Sequence, residues 1–264
     1  ESKKFKLFYF GNNITNINMK KTFTIITIIF LIHSFANAQM FKNVSVAFGL
    51  STTQILSDNP AGKSIQPSSD TEPIIFGGGF IGAQPGGELR FTFPLDEDAR
   101  WRIPLGIDLQ FFNAKERVPI GRNIEDRRYH SFEIFTPYVG ISYVMQDLKY
   151  LRAKTYTSLE VRAAMISNII SRLEEDYYFL DQFDTTIVYP TKGNATRIGG
   201  IAKLGVEAML FEPLQLNASV GVSLMNAFMR DDARRELLTP FKIFETKERY
   251  VWNLNVSILF QYTF

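Results

Sequence analysis

Apolar and polar residues alternate along much of this chain, and the alternation is clearest near position 264. Between positions 250 and 264 one parity is apolar: Tyr250, Trp252, Leu254, Val256, Ile258, Phe260, Tyr262 and Phe264. Polar residues occupy most of the positions between them, so this period of two predicts a β-strand with one apolar and one polar face. Aromatic residues stand at both ends of the apolar face, which is typical of a strand in a transmembrane β-barrel.

Seven earlier segments alternate in a similar way. They start near Val44, Glu88, Trp101, Phe132, Tyr156, Ala202 and Leu214. Together with the last segment they make eight, and an even number of strands suits a closed antiparallel barrel. The glycine-rich residues 74–87 are either a bulged start to the second strand or a separate hairpin, because glycine in a strand often marks a bulge. A separate hairpin would give ten strands; we expect eight.

The connections between these segments alternate in length. Long stretches follow the first, third, fifth and seventh segments, at residues 52–74, 113–131, 167–195 and 226–249. Short turns follow the others, at residues 94–99, 146–152 and 211–213. Outer-membrane barrels have short turns on the periplasmic side and long loops outside. The sequence therefore predicts an all-β fold, an eight-stranded antiparallel up-and-down transmembrane β-barrel.

The polar parity carries small residues and a balanced set of charges, which suits the narrow interior of an eight-stranded barrel. Eight charged residues fall on it: Glu88, Asp108, Glu160, Glu207, Arg90, Arg102, Arg162 and Lys203. Uncompensated charge in so narrow a lumen would be costly, so we expect a paired ladder of charges rather than a selective channel. The alternative is a periplasmic β-sandwich with these residues on solvated faces.

Residues 19–38 are typical of a cleavable signal peptide. Two lysines follow Met19, a short apolar run follows them, and Ala36-Asn37-Ala38 forms an A-x-A cleavage site. The apolar run is too short for a transmembrane helix. We expect residues 1–18 to be an upstream leader without assigned function, and residues 39–264 to form the barrel.

Charge and composition exclude several classes of function. Residues 1–38 hold five of the 29 basic and one of the 27 acidic residues, so 24 and 26 remain, a net charge of −2. This slightly negative net charge gives no indication of the basic surface that nucleic-acid binding requires. The chain has no cysteine, and hence neither disulfides nor thiol chemistry.

Candidate chemistry is sparse. Barrel enzymes that deacylate lipid A have a His and a Ser two residues apart on one face, whereas His130 and Ser131 are adjacent and should face opposite sides of a strand. The acidic residues 174–176, with Asp181 and Asp184, lack the spacing of a calcium loop. We interpret them as a solvated face or a contact for divalent ions that bridge lipopolysaccharide. We therefore predict no catalytic residue, no metal site and no cofactor.

Aromatic residues in two long connections are candidates for contact with a partner or for a lid over the barrel mouth. They are Tyr177, Tyr178, Phe179, Phe183, Phe241 and Phe244. Exposed aromatic clusters often mark binding surfaces. Both interpretations stay open at this point.

The leader, the eight alternating segments and the final S-I-L-F-Q-Y-T-F resemble the outer-membrane β-barrel family abundant in Bacteroidota, which includes the PorT-like proteins of type IX secretion. The resemblance covers residues 39–264. It implies that Phe260, Tyr262 and Phe264 form the recognition signal for the barrel-assembly machinery, and that the chain resides in the bacterial outer membrane among lipid and lipopolysaccharide.

The function that we expect is a non-enzymatic barrel with a narrow, side-chain-filled polar lumen and long extracellular loops for binding or scaffolding. A protein of an envelope or secretion complex is the partner that such loops suggest. The alternatives are a small-solute pore, a transporter of hydrophobic ligands, and a lipid A-modifying enzyme.

Overall fold

The computed structural model describes residues 43–56, 80, 82–119, 124–177, 185–188, 191–234, 237–238 and 247–264. The predicted upstream leader and signal peptide lie outside these residues and stay predictions.

Eight antiparallel strands close into a barrel. The strands of the described residues are β1 (Ser45–Ile55), β2 (Gln84–Pro94), β3 (Trp101–Pro119), β4 (Ile124–Leu148), β5 (Ala153–Tyr177), β6 (Thr185–Val188), β7 (Ala195–Phe211), β8 (Leu214–Phe228) and β9 (Trp252–Thr263). Each barrel strand pairs with the next, and β1 pairs with β9 to close the ring. Strand β6 pairs with β5 outside this ring. The predicted eight-stranded barrel is confirmed, and the ten-stranded alternative is wrong.

The two ends of the barrel differ in their connections. Residues 95–100, 149–152 and 212–213 join strands at one end, which we call the turn end. Residues 56–83, 120–123, 178–194 (which include β6) and 229–251 join barrel strands at the other end, which we call the loop end. The predicted short turns all lie at the turn end.

Two of the predicted long loops are largely strand instead. Strand β3 runs through 113–119 and β4 starts at Ile124, so only four residues connect them. Strands β4 and β5 each have 25 residues, against 11 in β1. At about 3.3 Å per residue such a strand is roughly 80 Å long, far more than an apolar band of about 25 Å. This part of the chain is rich in charged residues, which suggested loops. An antiparallel sheet outside the bilayer needs no apolar face toward lipid, so charged residues can also form strands there.

The extra length forms a sheet beyond the barrel. We call residues 113–119, 124–131, 167–177 and 185–188 the outer sheet. These segments pair with one another at the loop end, with Glu116 opposite Arg128 and Glu174 opposite Thr186. Strand β7 pairs with β5 only as far as Ile166, so the outer sheet continues where the barrel wall stops.

The barrel wall is apolar outside and polar inside. Along β5, Leu159 and Val161 are 62% and 60% exposed, whereas Glu160 and Arg162 are 3% and 6% exposed. The same alternation places other large apolar residues on the outside: Phe48, Leu50, Leu105, Val139, Leu204, Val220, Ile258 and Phe260. A soluble barrel has the reverse arrangement. Among the described residues, no helix is long and apolar enough to cross a membrane.

Inward glycines make room for two tyrosines in the lumen. A Cβ atom at Gly205 would collide with the ring of Tyr156, and one at Gly106 would meet the side chain of Tyr138. Both tyrosines are almost completely buried. Glycine on the inner face therefore fixes where the large lumen side chains fit.

Candidate functional site: a packed lumen below an apolar layer

Six charged residues form a continuous network in the middle of the lumen. We call Glu88, Arg90, Asp108, Glu160, Arg162 and Lys203 the ion network. Arg90 lies between two carboxylates, with Nη2 2.9 Å from Glu88 Oε1 and 2.8 Å from Glu160 Oε1. Arg162 Nη2 lies 2.9 Å from Glu160 Oε2, and Arg162 Nη1 lies 3.2 Å from Asp108 Oδ2. Lys203 Nζ lies 3.3 Å from Glu88 Oε1.

Barrel closure brings these charges together. Glu88 and Asp108 are neighbours in the register of β2 and β3, whereas Glu160 and Lys203 come from β5 and β7. Each strand contributes alternate residues to the inner face, so side chains from distant parts of the sequence converge on one axis. Arg90 and Glu160 are 70 residues apart in the sequence.

Hydrogen bonds from uncharged side chains complete the network. The Tyr138 hydroxyl donates to Glu88, and the Ser51 hydroxyl donates to Asp108 over 2.7 Å. The Tyr156 hydroxyl donates to Asn217 over 2.8 Å. Satisfied polar networks of this kind are rigid, because each lost partner would leave a buried polar group unpaired.

The other two predicted lumen charges pair nearer the turn end. Arg102 Nη1 donates to both carboxylate oxygens of Glu207, each over 2.8 Å. The structure thus places all eight predicted lumen charges inside the barrel, four of each sign and each with an ionic partner. A small cavity beside Arg162 measures about 20 Å³, which is room for about one water molecule.

An apolar layer covers the ion network on the side of the loop end, and the sequence analysis missed it. The buried residues of this layer are Ile55, Phe80, Phe112, Ala114, Phe132, Ile134, Ala164, Ile166, Met225, Leu237, Leu238 and Val251. The rings of Phe112 and Phe132 stack at 4.8 Å between centroids, and Phe80 packs edge-on against both. Phe80, Leu237 and Leu238 come from connections, so loop residues help to fill the barrel mouth.

A signal for this layer was present in the sequence. Around Phe132 the apolar residues do not keep to one parity, and Phe112 directly follows the outward-facing Phe111. Apolar residues of both parities on adjacent strands indicate that the inner face becomes apolar there. The contribution of loop residues, in contrast, has no local pattern.

One loop carboxylate is held inside the mouth. Glu248 is 2% exposed and accepts hydrogen bonds from Arg197 Nε and Nη2 at 2.8 and 2.6 Å. Asn226 Nδ2 and the backbone N–H of Asp231 also donate to it, at 2.8 and 3.0 Å. Burial alone would raise the pKa of Glu248, but the hydrogen bonds from Arg197 and Asn226 outweigh burial and hold that pKa below its ordinary value. The Arg197–Glu248 pair therefore ties the β8–β9 connection to the barrel.

The remaining predicted site residues divide into two groups. Phe260 and Tyr262 face outward on β9 and are about half exposed, and Phe264 follows the end of that strand. Tyr177 is the last residue of β5. Tyr178, Phe179, Phe183, Phe241 and Phe244 lie outside the described residues.

Neither candidate for chemistry forms a recognisable centre. His130 is buried on the inner face of β4, whereas Ser131 is half-buried and lies on the opposite face. Within the described part of the chain, no three His, Asp or Glu side chains come together as a metal site.

Comparison with known proteins yields distant structural likenesses. No family model and no curated protein matches the chain. Neisserial surface protein A is 10% identical over 84% of this chain and 97% of its own, with a TM-score of 0.42. OprG from Pseudomonas aeruginosa is 14% identical over 84% of this chain and 96% of its own, with a TM-score of 0.42. Ail of Yersinia pestis is 9% identical over 84% of this chain and 98% of its own, with a TM-score of 0.37. Because these TM-scores are below 0.5, we assign the fold from the strand pairing described above and not from these likenesses.

Arg90→Ala should destabilise the barrel strongly. The substitution leaves Glu88 and Glu160 buried with one cation fewer, which costs roughly 3–5 kcal/mol when a buried ion pair is broken. Urea unfolding in lipid vesicles, followed by tryptophan fluorescence, measures the loss. The matched control is Arg172→Ala, because the Arg172–Glu174 pair is accessible to solvent, with side chains 49% and 29% exposed, and surface pairs contribute about 0–1 kcal/mol. Equal effects of the two substitutions would contradict the role of the ion network.

Glu248→Gln should remove a stabilisation that depends on pH. Because the folded-state pKa is lowered, the charged form contributes stability above the ordinary glutamate pKa of about 4.3, and this contribution is lost as the pH falls through the lowered value. At pH 7 we expect a loss of roughly 1.5–3 kcal/mol. The difference between wild type and variant should shrink below about pH 4. Unfolding curves measured from pH 7 to 3 provide the check, and a pH-independent difference would refute the ionic contribution.

Proposed function

We propose that this chain is a non-enzymatic, integral outer-membrane β-barrel with a sealed lumen, which displays its outer sheet and loops for binding or scaffolding. The observation that carries the proposal is the wall itself, apolar outside and polar inside. In water this surface would be an aggregation hazard, since exposed apolar patches on soluble proteins rarely exceed a few hundred Å². In a bilayer it is the required surface, because only closed barrels and helices satisfy every backbone group there.

The packed lumen supports a barrier rather than a pore. The ion network fills the middle of the barrel, and the apolar layer lies above it at the mouth. A conducting eight-stranded barrel would need to displace both. The eight lumen charges, four of each sign, also favour no ion by sign, so they offer no selectivity filter.

The loop end supports display to the outside. Four connections and the outer sheet all lie there, and the loop end of an outer-membrane barrel faces away from the periplasm. An envelope protein partner at this end fits the resemblance to the PorT-like group. Tyr177, Tyr178, Phe179, Phe183, Phe241 and Phe244 are the proposed contact residues, and Phe260, Tyr262 and Phe264 are the proposed assembly signal.

Leu204→Arg should weaken the folded state in membranes. Leu204 is outward-facing and near the middle of β7, where an arginine toward lipid costs about 2–4 kcal/mol. Leu151→Arg is the control, because Leu151 is exposed in a turn at the end of the barrel. Urea unfolding in lipid vesicles measures both. Equal stability of Leu204→Arg and wild type would overturn the membrane location.

The wild-type chain should produce no single-channel conductance in planar bilayers. The physical reason is the filled lumen, and a general porin reconstituted under the same conditions is the positive control. Reproducible conductance steps from the wild-type chain would favour the alternative of a small-solute pore.

A further inference from the structure

An open groove runs along the outer wall of the barrel. It has a volume of about 820 Å³, within the range of roughly 300–1,000 Å³ that ligand sites occupy. Its floor is the backbone of β7 at Gly200 and Ala202, two outward-facing residues with small side chains. Val139 and Leu159 line one side, and Leu224 lines the other.

The end of the groove nearer the loops carries two aromatic side chains, with a cation above them. Phe228 and Trp252 line the groove, and both are outward-facing and exposed. Two residues farther toward the loop end, the Arg230 guanidinium lies 4.1 Å from the ring centroid of Tyr250. In the part of the chain that the structure describes, Arg230 contacts the Tyr250 ring and forms no ion pair with a carboxylate.

This combination matches one kind of occupant. Trp and Tyr mark the membrane–water interface, so Arg230 lies at the depth of lipid headgroups while the groove below it lies among acyl chains. We propose that the groove binds one acyl chain of a phosphorylated glycolipid of the outer leaflet, lipid A, with a lipid phosphate held by Arg230. The inference deepens the proposed function and rests on it, because it requires the loop end to face outward.

A protein partner fits the same surface less well. The described lining of the groove is mainly apolar, and Arg230 places a cation beyond its loop-facing end. A second copy of this chain presents the same cation, so a symmetric pair that met at the grooves would bring two Arg230 side chains together. Like charges in contact oppose association, whereas an anionic headgroup is complementary.

Native mass spectrometry of the full chain, released from nanodiscs with equal amounts of lipid A and phosphatidylethanolamine, tests the proposal. We expect one retained lipid A per chain and weaker retention of dephosphorylated lipid A and of phosphatidylglycerol. Ala202→Phe fills the groove and should lower retention about tenfold or more, and Arg230→Gln should lower it roughly tenfold through the lost charged contact. Ala218→Phe, at an outward-facing position outside the groove lining, and Arg100→Gln, at the turn end, are matched controls that should retain lipid A like wild type.

The outcomes distinguish failure of the lipid A site from failure of the proposed function. Loss of lipid A in Ala202→Phe and Arg230→Gln, with both controls unchanged, supports the site. Equal retention in all four variants, equal retention of dephosphorylated lipid A, or a dimer that Ala202→Phe dissociates would each overturn it. A wild-type chain that does not float with lipid vesicles would instead overturn the proposed function itself.

Discussion

Closure of the sheet is the constraint on which the rest of this structure depends. The pairing of β1 with β9 leaves the barrel wall without an edge strand, so backbone donors and acceptors along the wall pair between neighbouring strands all round the ring. Once the ring is closed with eight strands, alternate residues must point into a space just wide enough for side chains. That space has to be filled, and any charge in it has to be paired.

The ion network and the apolar layer fill this space at two different depths. In the middle of the lumen the arginines bridge carboxylates, with Arg90 between Glu88 and Glu160. Toward the loops the inner face becomes apolar, and side chains from the connections complete the packing. The Arg197–Glu248 pair fixes one of these connections in place. The binding that we propose therefore involves surfaces outside the lumen, namely the outer sheet, the loops and the lipid-facing wall.

The local pattern predicted which residues face inward but not which of them meet. The parity of each strand placed Arg102 and Glu207 in the lumen, yet their contact spans 105 residues of sequence. Which charge pairs with which depends on the stagger of the closed ring. The outer sheet was missed for a related reason: its segments are rich in charged residues, so their composition looks like that of a loop.

The sequence by itself determined the antiparallel order and the inside-out character of the barrel, because alternation is a property of neighbouring residues that holds wherever the strand lies. It favoured eight strands over ten, and closure of the ring decided that number. The tertiary structure decided the cross-lumen ion pairs, the loop residues of the apolar layer and the groove over Gly200 and Ala202. Each of these depends on distances between strands that are remote in the sequence, and closure of the ring sets those distances.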